Sequence, residues 1–92
     1  MMTMEMVMEL LGTLGEDVTV YAQTNGDICV TVEDFEGFDD EYNEIDREYD
    51  EDAVEAVYDK LSDTCTSKDG DYYCYFHFEG FTVIWGMASF EI

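Results

Sequence analysis

The chain has 92 residues, and its 24 Asp and Glu face only three Lys or Arg, a formal net charge of -21 at pH 7. A domain this small buries little more than ~60% of its unfolded surface, which leaves little room for a deep catalytic pocket. So acidic a chain excludes direct binding to DNA, RNA or an anionic membrane, because neutralising phosphates takes Lys and Arg. The apolar share is 47% and the aromatic share 15%, enough to expect one folded domain over residues 1–92.

The opening Met-Met-Thr-Met-Glu-Met has neither a positive n-region nor a long apolar core. No secretory signal is therefore expected, and no stretch reaches transmembrane length. A first helix is predicted from about Met4 to Leu14, capped by Thr3 and stopped by Gly15. Met4, Val7, Met8, Leu11 and Leu14 would form its apolar face, and Glu5 in the first turn suits the helix dipole.

A hairpin comes next. Val18, Val20 and Ala22 alternate with polar residues, as do Ile28, Val30 and Val32 beyond Asn25-Gly26. A two-residue Asn-Gly loop would set Val20 opposite Thr31, on the wrong face. A three-residue loop, Thr24-Asn25-Gly26, sets Val20 opposite Val30 and Ala22 opposite Ile28, with Gly26 in the left-handed position.

Residues 33–52 form an acidic block in which twelve of twenty residues are Asp or Glu and one is Arg. The spacing of Tyr42, Ile45 and Tyr49 predicts a short helix from about Asp39 to Glu48. A second long helix is expected from about Glu51 to Ser62, capped by Asp50, with Val54, Val57, Tyr58 and Leu61 facing inward. Three strands complete the chain, at 64–67, 72–78 and 81–90, the last nearly all apolar and so expected at the centre of a sheet. If the turn at Asp69-Gly70 repeats the three-residue loop, Cys65 lies opposite Tyr73; a two-residue loop would set Cys65 opposite Cys74.

Asp34-Phe35-Glu36-Gly37-Phe38 is echoed by His77-Phe78-Glu79-Gly80-Phe81, each after a Gly-Asp pair and a strand. The expected fold is thus α+β: two helix–hairpin units, αββ-αβββ, forming an antiparallel sheet with both helices on one face.

For chemistry the sequence offers little. His77 is the single histidine, in an aromatic strand, and no triad order, phosphate loop or zinc motif is present. Asp39, Glu41, Asn43 and Asp50 loosely follow a calcium loop, but Glu44 stands where that loop needs Gly. No catalysis, cofactor or dedicated metal site is expected. Three cysteines without a leader or zinc spacing suggest reduced thiols and a cytoplasmic protein.

The acidic block is the informative segment. Helical spacing would align Asp40 with Glu44 and Glu48, and Asp39 with Asn43 and Asp46, in rows of negative charge. Tyr42, Tyr49, Phe35 and Phe38 would anchor them. The partner-binding residues expected are Asp34, Glu36, Asp39, Asp40, Glu41, Tyr42, Glu44, Asp46, Glu48, Tyr49, Asp50, Glu51 and Asp52.

In size, acidity, α+β pattern and interleaved aromatics, the chain resembles the anti-CRISPR and anti-restriction proteins of phages and mobile elements. The resemblance is one of type and carries no residue roles. It implies an inhibitor that mimics DNA phosphates on the basic surface of a defence complex, a Cas effector foremost, in the host cytoplasm. The alternative is an acidic adaptor for another basic protein. Either would act as a monomer or a homodimer.

Overall fold

A computed structural model of the chain describes residues 2–70 and 73–87. Helix α1 spans Met4–Gly12, and the Thr3 hydroxyl accepts from the Met6 N–H at 3.2 Å, the expected cap. A 3-10 turn, Gly15–Asp17, leads into β1, Val18–Ala22. Strand β2, Ile28–Val32, pairs with it in the three-residue register: Val20 faces Val30 and Ala22 faces Ile28. Gly26 takes φ +93° and donates to the Gln23 carbonyl, closing the turn.

The acidic block departs from its expected helix. It forms a hairpin of β3, Phe35–Phe38, and β4, Glu44–Asp46, a two-stranded sheet of its own. The physical reason lies at the turn. The Asp39 carboxylate accepts from the Glu41 and Asn43 amides at 2.8 and 2.9 Å, a local arrangement that competes with a helix. Tyr42 is left-handed at φ +65°, and Gly37 sits at φ +135° in a bulge. A helix here would also stack like charges at i, i+4, each pair costing ~0.2–0.5 kcal/mol.

Helix α2, Glu51–Thr64, follows, and the Asp50 carboxylate caps it by accepting from the Ala53 N–H at 3.1 Å. It runs two residues past its expected end, and the Cys65 amide still reaches the Leu61 carbonyl at 2.9 Å. The last strands are β5, Ser67–Asp69, β6, Cys74–Phe78, and β7, Phe81–Met87. The expected extensions to Tyr72 and to 88–90 lie outside the described residues.

The main sheet has the order β1-β2-β7-β6-β5, with β7 at its centre as expected. It is mixed rather than wholly antiparallel, because β2 and β7 run parallel. Between them the chain makes a long crossover that includes α2, the connection a parallel pair requires. The five-residue echo is not a structural repeat either: the first copy lies along β3, the second is the β6–β7 turn.

Both expected registers for the β5–β6 hairpin are replaced. Asp69 faces Tyr75 and Ser67 faces His77, so Cys65 pairs with neither Tyr73 nor Cys74. Side chains hold this register. The Lys68 ammonium donates to the Ser62 hydroxyl at 3.2 Å and lies 5.9 Å from the Tyr58 ring centre. Thr66 donates to the His77 carbonyl through both its amide and its hydroxyl at 2.8 Å. Gly70 at φ +116° is mandatory, since a Cβ there would stand 2.0 Å from the Tyr73 carbonyl. All three cysteines are free thiols.

The helices cover one face of the main sheet. Val7, Leu11 and Leu14 from the α1 region and Val54, Val57 and Leu61 from α2 pack on Ile28, Val30, Val32, Phe76, Val83 and Trp85. Met4 and Met8, expected in the α1 stripe, are each 39% exposed, because the chain turns its Val7–Leu11 line toward the sheet. Among the described residues no helix is long and apolar enough to cross a membrane.

Candidate functional site: an acidic hairpin and helix face

The β3–β4 hairpin is rooted at its base and open at its tip. The Arg47 amide donates to the Asp34 carbonyl at 3.0 Å, and the Asp50 amide donates to the Asp17 carboxylate at 3.2 Å. None of residues 33–48 belongs to the buried core. Phe35 and Phe38 meet edge to face with centres 5.3 Å apart, which stiffens the hairpin without burying Phe38. Tyr42 at the tip is 86% exposed, amid Asp39, Asp40, Glu41 and Glu44, all exposed.

The thirteen residues expected to bind a partner divide in two. Glu36, Asp40, Glu41, Tyr42, Glu44, Asp46, Glu48, Glu51 and Asp52 are exposed. The others have structural duties. Asp39 closes the turn, and the Asn43 amide, with that of Glu41, holds its carboxyl below the ordinary aspartate range despite some desolvation. Asp50 is the helix cap. Asp34 is half-buried, and its shielded Oδ1 has no hydrogen-bond partner. Tyr49 packs against the core rather than standing among the carboxylates; burial, with Glu51 and Asp34 nearby, raises its phenol pKa. The expected rows Asp40–Glu44–Glu48 and Asp39–Asn43–Asp46 do not form, because the block is not helical.

A row of that kind does exist, one element later. Glu51, Glu55, Asp59 and Asp63 repeat every fourth residue along α2, all exposed, opposite the Val54–Val57–Leu61 face. They span ~18 Å with ~6 Å between successive members. Asp52 lies beside the row at its start, where an open groove of about 480 Å³ is lined by residues 47–52 and joins helix to hairpin. The signal was in the sequence: once the buried stripe of α2 is assigned, the acids at i, i+4 fall on its outer face.

This arrangement works against the helix. Three like-charge i, i+4 pairs each cost ~0.2–0.5 kcal/mol. Asp59 and Asp63 approach the negative end of the macrodipole, and no basic residue stands in the last turn. Ion pairing gives no relief either. Among the described residues the only acid–base contact within 4 Å joins His77 and Asp69 at 2.8 Å, a hydrogen bond that is an ion pair only when the imidazole is protonated, and Arg47, Lys60 and Lys68 meet no described carboxylate. The chain matches no protein-family model, no curated protein and no solved structure.

His77 is fully engaged. Its Nε2 meets Asp69 and its Nδ1 meets the Thr82 hydroxyl at 3.2 Å, linking β5, β6 and β7 across the sheet face away from the helices. Elsewhere, Tyr58 donates to the Cys74 sulfur at 3.6 Å. That bond, with burial and the neighbouring Cys74 and Asp59 charges, pushes the Tyr58 phenol up to about 12.

Proposed function

We propose that the protein is a charge-patterned binding module that occupies a Lys- and Arg-lined, nucleic-acid-binding surface of another protein and keeps nucleic acid off it. The observation that supports this reading is the exposed row Glu51–Glu55–Asp59–Asp63, ion-paired with no described Lys or Arg, whose last two members approach the negative end of the helix dipole. A pattern that costs stability at each repeat is poorly explained by solubility, which scattered acids serve as well. The row gives a linear track of negative charge for basic residues arranged along a phosphate backbone. The hairpin adds Phe38 and Tyr42, exposed rings of the kind that anchor interfaces. The target class is the one the resemblance implies, a CRISPR effector in the host cytoplasm, whose DNA channel is basic by necessity.

The test is competition. The protein is titrated against an effector complex and its target DNA at low and high salt. Mutual exclusion of protein and DNA, each weakened by salt, is the expected result. A ternary complex of protein, effector and DNA would make the protein an adaptor and overturn inhibition by mimicry.

A further inference from the structure

The two edges of the main sheet are treated differently. Edge strand β5 is three residues long and carries Lys68 and Asp69, devices that discourage pairing with another strand. Edge strand β1 is five residues, Val-Thr-Val-Tyr-Ala, with no charge, proline or bulge. From Val18 to Gly26 there is no charged residue, in a chain whose net charge is -21. Tyr21, on this strand, is 65% exposed.

The hydrogen-bond parity of β1 says which groups are free. The Gln23 amide donates to Asp27 and the Glu33 amide donates to Asp17, so the odd-numbered residues of β1 exchange bonds with β2. Val18, Val20 and Ala22 therefore turn their N–H and C=O groups outward, and among the described residues nothing meets them.

We infer that β1 is a homodimerisation edge: two copies of this chain pair antiparallel about Val20, joining their sheets into one. In that register Val18 meets the partner's Ala22 and Val20 meets the partner's Val20. Each pair exchanges two N–H···O bonds through the groups left free. It is the one antiparallel register that uses all three outward residues. Thr19 then faces the partner's Tyr21 as a close cross-strand pair, which covers the exposed ring. Directly opposed residues point to the same face, so the helices of both copies lie on one side and the Val20 side chains extend the core.

Charge selects a second copy as the occupant. Continuing the register sets Asp17 and Glu16 opposite the partner's Gln23 and Thr24, both uncharged, while the Asp27 carboxylate that closes the turn is bonded by the Asn25 side-chain amide. The stretch that meets its mate has no acid of its own, and the Glu33 carboxylate that reaches it is engaged by the Thr19 hydroxyl. The contact is small, so a weak, concentration-dependent dimer is expected. Salt should favour it, because the screening length falls from ~30 Å at 0.01 M to ~3 Å at 1 M and relieves repulsion between two acidic bodies. This dependence is opposite in sign to that of the basic-partner binding proposed above, so the two fail separately.

The experiment is sedimentation of the full chain from about 1 μM to about 1 mM at low and high salt, a range that brackets a weak dimer, with amide exchange followed by NMR. The expected result is a mass that doubles with concentration and with salt. The Val18, Val20 and Ala22 amides should become protected together with it, while those of Thr19 and Tyr21 are protected throughout. Ala22→Pro removes an outward N–H that β2 does not use and should abolish the dimer; Tyr21→Ala should weaken it. If Ala22→Pro disturbs the fold, the wild-type exchange pattern decides. A monomer throughout the range, a dimer in which the three amides stay unprotected, or a folded Ala22→Pro variant that still dimerises would each overturn the inference. Protection of those amides only on adding a target protein would also overturn it.

Discussion

Replacing Glu55 by lysine should stabilise the fold while weakening the proposed binding. Glu55 is exposed in the middle of α2, with Glu51 four residues before it and Asp59 four residues after. Both are like-charge neighbours, each destabilising by ~0.2–0.5 kcal/mol, and a lysine turns each into an attraction of similar size. The swing is then ~0.4–1 kcal/mol per pair and ~0.8–2 kcal/mol for the two. Glu and Lys have nearly equal helix propensity, so the change isolates charge. At ~4–8 °C per kcal/mol for a domain of this size, Tm should rise by several degrees at low salt. A thermal melt followed by circular dichroism reads this. In 1 M salt most of the gain should vanish, since pairs ~6 Å apart then exceed the ~3 Å screening length. Binding to a basic target should meanwhile fall by more than it does after a single reversal at Glu5 or Glu9 on α1. A Tm that is unchanged or lower at low salt, or a gain that persists in 1 M salt, would refute the charge-row argument. Equal binding losses at Glu55 and on α1 would reduce the acids to a solvated coat.

Titration offers two further checks. Because the folded carboxyl of Asp39 is held below its ordinary value, its contribution is complete above ~3.9 and lost as pH falls through the lowered value. The Glu41 and Asn43 amide shifts should report that midpoint, and a midpoint at or above ~3.9 would contradict the turn described here. Tyr58 has the opposite sign: its folded value is raised, so its contribution is intact below ~10 and lost as pH climbs to about 12. Its ring signals should titrate late in the wild type and earlier in Cys74→Ala; no change on removing the thiol would show that the hydrogen bond is not the cause.

Sequence alone determined the elements whose signals are local. Thr3 and Asp50 mark helix starts because a side-chain oxygen satisfies an amide two or three residues on. The first hairpin's register was legible because only the three-residue loop keeps Val20 and Val30 on one face. The acidic block misled for a physical reason. Tyr42, Ile45 and Tyr49 have helical spacing, but the Asp39 carboxylate folds back on the Glu41 and Asn43 amides and closes a turn, with Tyr42 left-handed, that a helix would have to open. Its expected site residues remain on the surface in part, while the charge row itself belongs to α2 and includes Glu55, Asp59 and Asp63, which lay beyond the block. The β5–β6 register was not legible, since Lys68 and Asp69 fix it through Ser62, Tyr58 and His77, partners that only the tertiary structure brings near. Tertiary structure also decided the parallel pairing of β2 with β7. Strand direction there depends on how a long crossover returns the chain to the sheet, and no local pattern of residues encodes that path. With β7 seated at the centre, β1 became an edge, and the stretch without charge came to lie along it.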